Sequence, residues 1–401
     1  MTHSYVKNLV YQFPIRILCI VLCASSPILA LILSLVSYLG KFKSWNIFII
    51  SPIFYISFIL SLLNSEKVVE GDLISYINNF QQLQNLSLAE VLSLYKREPL
   101  FYFLAWNFGH IFSFSDFTFK FCFSFIGFYL LLFACEKIMF ELKYSKNQIF
   151  LGVLLVALST TIFANSMHLT RQFLSLGFFL WAFSTKNIFW RNLGFLFAAI
   201  THISSIILVA FYFLTNAKKL SKFFFLLALI FYKNLISVII FLVIPLGIGP
   251  LIYFAQRISS QSFHQMPGLS VTAIIFLVAT IMYMILILFM NYNSYLQDNR
   301  QSMPQSLKQF YHLNIYLGFT VLFVQLVLGF NEPAARYMFS YVTLTMFSIA
   351  FSLRFLHVNS VILCTGSIIL FFNFGFSLIY GTWTYNNINE VVGCYLLCRN
   401  V

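Results

Sequence analysis

Composition and hydropathy patterning point to an all-α polytopic membrane protein with 11 or 12 membrane segments, one of them re-entrant or broken. Of 401 residues, 60% are hydrophobic and only 9% charged, against about 25% charged in an ordinary soluble domain. The mean hydropathy is +0.87. Apolar runs near the length of about 20 residues that a spanning helix needs recur from end to end. This composition excludes a secreted disulfide scaffold, a nucleic-acid reader and a disordered tail. It fits a single integral membrane domain over residues 1–401, seated in a lipid bilayer.

The runs lie near 15–39, 47–63, 117–140, 147–166, 167–185, 192–214, 222–246, 269–291, 309–330, 335–353 and 358–382. The run from Pro99 to Phe114 is shorter and of the re-entrant or interfacial kind. Ile15 to Leu39 is long enough to stay in the bilayer, so no cleavable signal is expected. Cys19, Cys23, Cys122, Cys135 and Cys364 lie inside apolar runs, as small hydrophobes do. Cys394 and Cys398 stand four apart near the C-terminus. No CxxC or Cys/His spacing suggests a metal site, and no cofactor is expected.

Charge sets the orientation. Five of the 11 acidic residues, Glu66, Glu70, Asp72, Glu90 and Glu98, fall in one polar loop at 64–98. Basic connectors lie elsewhere: Lys41/Lys43, Lys137/Lys143/Lys146, Lys186/Arg191 and Lys218/Lys219/Lys222. Cytoplasmic loops collect Lys and Arg, so the acidic loop is expected outside, with Asn165–Arg171 and Asn331–Arg336. The net charge of +13 has this source rather than a nucleic-acid surface. If Lys186/Arg191 and Lys218–Lys222 are both cytoplasmic, 192–214 is not a simple crossing. A helix broken at its central Thr201, His202, Ser204 and Ser205 satisfies that parity where the freed backbone lines a cavity. An outward basic connector, or a double crossing of 220–253, satisfies it equally.

Ionisable residues are expensive at membrane depth and are candidates for function there. Arg171 stands at an outer helix end beside His168 and Gln172; the plainer reading is an Arg snorkelling to headgroups. Arg336 follows Pro333, a residue suited to a first helical turn. An Arg fork beside free helix N-terminal donors suits phosphate, while pairing with Glu332 is the plainer alternative. His202 lies inside an apolar run among hydroxyls. Asp72 and Glu98 each lie next to an apolar segment, where a carboxylate can act as general base towards a hydroxyl. Arg97 beside Glu98 also reads as an ordinary surface pair. No DxD, Walker or nucleotide-binding glycine pattern occurs.

Taken in order, Gly71-Asp72 with Tyr76, Glu98-Pro99 through Tyr102, Arg171-Gln172, Thr201-His202-Ile203-Ser204 and Ala335-Arg336-Tyr337 resemble the EpsG-like branch of the Wzy-type polysaccharide polymerases. The resemblance spans roughly 66 to 340. Val69-Glu70-Gly71 lacks the Arg-rich lead-in of that family.

The resemblance implies an architecture related to the C-type glycosyltransferases and a location in the bacterial inner membrane. It implies a metal-independent transfer on the outer face, joining polyprenyl-diphosphate-linked oligosaccharide repeats for O-antigen, capsule or exopolysaccharide. The donor and acceptor are then both lipid-linked oligosaccharides, and a chain-length regulator is a possible partner. Arg171 and Arg336 would stabilise the departing diphosphate at headgroup depth. Asp72, Glu98 or His202 would take the acceptor proton. Tyr76, Arg97, Tyr102, His168, Gln172 and Tyr337 would contact substrate. Aromatics such as Phe101, Tyr102 and Trp106 suit sugar faces, prenyl chain or simply the interfacial belt.

The main rival is a transporter or flippase of the same lipid-linked sugar, against which stand the missing repeat symmetry and the one-sided candidates. A sugar ligase is another. A membrane acyltransferase would set its essential His beside an acidic partner, and no such pair is apparent along the chain. A non-catalytic scaffold explains neither the outer arginines nor the acidic loop.

Overall fold

A computed structural model of the chain describes residues 26–39, 51–215, 271–297, 304–328, 332–355, 358–380 and 385. Among these residues the fold is helical throughout, and a lone bridge between Lys67 and Tyr385 replaces any sheet. In chain order the helices are α1 (Pro27–Leu39), α2 (Pro52–Ser65), α3 (Asp72–Gln82), α4 (Leu88–Leu94), α5 (Pro99–Ile111), α6 (Asp116–Glu141), α7 (Lys146–Ala157) and α8 (Thr160–His168). They continue as α9 (Thr170–Phe183), α10 (Ile188–Thr201), α11 (Ser205–Thr215), α12 (Val271–Gln297), α13 (Gln305–Leu328), α14 (Glu332–Ser352) and α15 (Ser360–Tyr380).

Polar residues between the apolar runs set the boundaries. Ser51, Ser115, Ser145, Ser159 and Asn187 each accept a backbone N–H in the first turn of α2, α6, α7, α8 and α10. Pro52 and Pro99 occupy first turns, where a missing N–H costs nothing.

Five helices, α6, α12, α13, α14 and α15, reach the about 20 residues that a hydrocarbon core requires. Among the described residues, two stretches are both long and apolar enough to cross, Asp116–Glu141 and Val361–Leu378. The pair α7–α8, bent by 47°, makes a third if taken as one span. Fewer than the 11 or 12 expected segments are seen among the described residues: some apolar runs break into half-length helices, and others lie wholly or partly outside those residues. The runs 147–166 and 167–185 become α7, α8 and α9, cut at Ser159 and Leu169. The run 222–246, Lys41/Lys43, Lys218/Lys219/Lys222, Cys394 and Cys398 lie outside the described residues.

The polar loop at 64–98 is largely helical. α3 and α4 fold over α5 and the start of α6 on a small apolar core of their own, including Leu73, Tyr76, Phe80, Val91, Phe101 and Phe119. The large core lies between α6–α9 and α12–α14. α6 and α9 approach closely because both present glycine: a Cβ on Gly177 would stand 3.3 Å from the Gly127 carbonyl and 3.2 Å from Leu130 Cβ.

The two ends of the bundle differ in charge. At one end Lys186 pairs with Glu141 at 3.6 Å. There too Gln148 donates to the Leu353 carbonyl at 2.8 Å and Asn147 to that of Val358 at 3.1 Å. Lys143, Lys146, Lys186 and Arg354 thus gather at this basic end. The acidic connector, the start of α6 and Tyr385 lie at the other, where Gln81 donates to Asp116 at 3.0 Å.

The chain between 188 and 215 folds as a hairpin. Phe195 meets Tyr212 with ring centroids 4.7 Å apart, and the Arg191 guanidinium lies 5.9 Å from the Tyr212 ring. α10 and α11 therefore run antiparallel about the break at His202–Ser204, with arms of 14 and 11 residues. Arms of about 21 and 16 Å fall short of a hydrocarbon core of about 30 Å. The hairpin rises from the basic end and turns at the acidic end.

Candidate active site

The hairpin tip delivers His202. Its backbone leaves the helix in extended conformation, φ −155° and ψ 126°, and its ring is turned inward with the residue 7% exposed. Ser175 of α9 secures the tip: its hydroxyl donates to the Ala198 carbonyl at 3.0 Å and meets the Ser205 hydroxyl.

Glu98 ends the acidic connector just before Pro99 opens α5. It is 6% exposed, and its two carboxylate oxygens are shared between two partners. Oε1 lies against His202 Nδ1, and Oε2 accepts from Arg171 Nη1. Burial by itself would raise this carboxyl; the His202 and Arg171 contacts outweigh it and hold the group below its ordinary range. Glu98 is therefore an anion whose oxygens are already engaged. Its place is to orient its neighbours.

Arg171 stands in the first turn of α9, where Leu169 breaks the chain after α8. Its guanidinium lies 4.9 Å from the Tyr76 ring, a cation–π contact. Arg336, the fifth residue of α14, reaches Asp72 at 3.7 Å, with side chains 20% and 55% exposed. Asp72 and Tyr76 are one turn apart on α3, so one helix face meets both arginines. Gln172 adds a second tie, donating from Nε2 to the Arg336 carbonyl at 2.6 Å and to Ser340 Oγ at 2.9 Å. Taking Gly177 level with the Gly127–Leu130 turn of α6, the Arg171 Cα lies about 10 Å below the acidic end of α6. α3 and α5 roof it.

Five residues singled out from sequence, Asp72, Glu98, Arg171, His202 and Arg336, are thus brought to one end of the fold around α3 and α9. Tyr76 joins them under Arg171. Tyr102 joins them as a buried neighbour, stacked on Tyr95 with centroids 3.7 Å apart. Its hydroxyl is pushed up to about 12 by burial, against the pull of Arg171.

The other candidates have surroundings of their own. Gln172 does not face a ligand with its amide nitrogen, which is spent on α14. His168 does not share a face with Arg171, because it ends α8 and packs against Gly71, where a Cβ would stand 3.3 Å from its ring. That packing, with Gly71 at φ +58°, leaves only glycine comfortable there. Tyr337 packs on the large core, and Arg97 is exposed. Arg336 has Asp72 as one partner; the side chain of Glu332 lies outside the described residues.

An acid beside His202, not apparent along the chain, is supplied by Glu98 across 104 residues. Sequence reading also missed Tyr95, Ser175 and Ser340. The two serines are small polar residues in apolar helices, and nothing local marks them.

With Nδ1 donating to Glu98, His202 carries its lone pair on Nε2 and can accept a proton. Arg336 offers a partly exposed guanidinium at a helix N-terminus, an arrangement suited to phosphate oxygens.

A family model described as EpsG family matches residues 46–391. No curated protein and no solved structure matches.

Proposed function

The chain belongs to the EpsG family, a family of polymerases in polysaccharide biosynthesis, and on that premise we propose that it is a membrane glycosyltransferase joining polyprenyl-diphosphate-linked oligosaccharide repeats. The acidic end faces outward, and the protein sits in the bacterial inner membrane with a C-type architecture. In the transfer, the bond between donor C1 and the phosphate oxygen breaks, and its electron pair leaves with the polyprenyl diphosphate. An acceptor hydroxyl oxygen forms the new bond to C1. Its proton passes to Nε2 of His202.

Arg336 takes the diphosphate, whose charge displaces Asp72 from the guanidinium, and stabilises the growing negative charge without a metal. Arg171 fixes Glu98, and Glu98 fixes the tautomer and angle of His202. One observation carries this reading: a buried glutamate shared by His202 and Arg171, under the helix that also meets Arg336.

The buried Glu98–His202 pair also favours a second reading, acyl transfer to a membrane glycan. A transporter of the lipid-linked oligosaccharide is the third. The polymer ladder of a deletion strain complemented with His202→Ala or Arg336→Ala separates them. A polymerase leaves single repeats on the carrier or core; an acyltransferase leaves full-length polymer short of acyl mass; a transporter leaves no exported repeat.

A further inference from the structure

We infer that Gln172 is a positioning residue that holds Arg336 at its working place relative to Arg171, with Ser340 as its partner. The inference rests on the glycosyl-transfer reading above.

Gln172 is 3% exposed, and Nε2 donates to both the Arg336 carbonyl at 2.6 Å and Ser340 Oγ at 2.9 Å. A carbonyl has two lone pairs, so that of Arg336 can accept this bond beside its own helical one. Consecutive residues on a helix point about 100° apart. From one turn of α9, Arg171 therefore reaches Glu98 and Tyr76, while Gln172 grips the backbone that carries Arg336. Moving α14 away from α9 breaks both bonds of the carboxamide. The Oε1 atom has no hydrogen-bond partner among the described residues. An orphaned buried acceptor costs stability, and a methionine of the same length would pack without that cost. What methionine cannot do is donate to Arg336.

The test uses purified full-length protein in liposomes, supplied with a polyprenyl-diphosphate-linked repeat, with release of polyprenyl diphosphate as the readout. Gln172→Met is expected to insert and melt like the wild type. Its KM should rise about tenfold, the equivalent of one charge-free hydrogen-bond pair lost, with kcat changed less than threefold. Ser340→Ala should raise KM less, and Ser340→Thr should restore it. In an Arg336→Ala background, Gln172→Met should add nothing. A wild-type KM in Gln172→Met overturns the inference. So does a lower kcat at unchanged KM, which would mean only fewer folded molecules. If the wild type itself releases nothing, the glycosyl-transfer reading fails; polyprenyl diphosphate binding then decides, weaker in Gln172→Met for a positioning role and equal for none.

Discussion

Glu98 binds His202 and Arg171 through opposite oxygens, joining residues 104 and 73 positions away in the chain. One glutamate thereby locks the tip of a half-length hairpin to the first turn of α9. Removing its charge should disturb both. Glu98→Gln is expected to keep the fold and lower the rate of chain extension about 10²-fold or more. His202→Ala should lower it at least as far, and the double variant no further, since the two act as a unit. Initial rates with a lipid-linked repeat check this.

The two arginines should fail differently. Arg336, partly exposed and paired with Asp72 at 3.7 Å, meets the diphosphate; Arg336→Ala should cost about 10²–10³-fold in kcat/KM. Arg171 acts through Glu98, so Arg171→Ala should lower kcat with little change in lipid binding. Lysine should rescue either poorly, because the planar fork is lost. Kinetics paired with lipid-diphosphate binding separate the two roles.

Acid should act on stability through Glu98. Its carboxyl is held below the ordinary 4.5 by His202 and Arg171 against the opposing pull of burial. A lowered folded value means the contribution is complete above that ordinary value and is lost as pH falls through the folded one. The melting gap between wild type and Glu98→Gln should therefore narrow as pH falls below about 4.5. A gap that stays unchanged down to about pH 3 would assign the stabilisation to another group.

Much of the site was legible because its residues are costly where they stand: Arg171, His202 and Arg336 are polar interruptions of apolar runs. The parity of the basic connectors left a break near Thr201–Ser205 as one of three alternatives, and the chain turns at His202–Ser204. The span count was less legible, since hydropathy gives a run no end: Ser159, which cuts one run, announces itself only as a cap. The helical cap over the site had a readable signal, the capping box of Ser87 and Glu90. The Glu98–His202 pair had none, because contacts across 104 residues leave no trace in periodicity.

The hairpin predicts its own topology. Cysteines at Asn187 and Lys218 should be labelled from the same, cytoplasmic, side by a membrane-impermeant maleimide. Labelling from opposite sides would make 188–215 a crossing and remove the reason His202 reaches Glu98.

Close packing of α6 on α9 should be intolerant of bulk. A Cβ on Gly127 would stand 2.3 Å from the ring of Phe173, which is fully buried two residues after Arg171. Gly127→Ala is expected to destabilise by about 1–3 kcal/mol, measured as a fall in melting temperature in detergent.

The stoichiometry of product release puts the reaction itself to trial. Purified protein in liposomes, given only a polyprenyl-diphosphate-linked repeat, should release one polyprenyl diphosphate for each repeat added to a growing chain. Both products should vanish together in Arg336→Ala and His202→Ala. Chain growth that persists with both residues replaced, or lengthening without release of the lipid diphosphate, would contradict a polymerase built on Glu98, His202 and the two arginines.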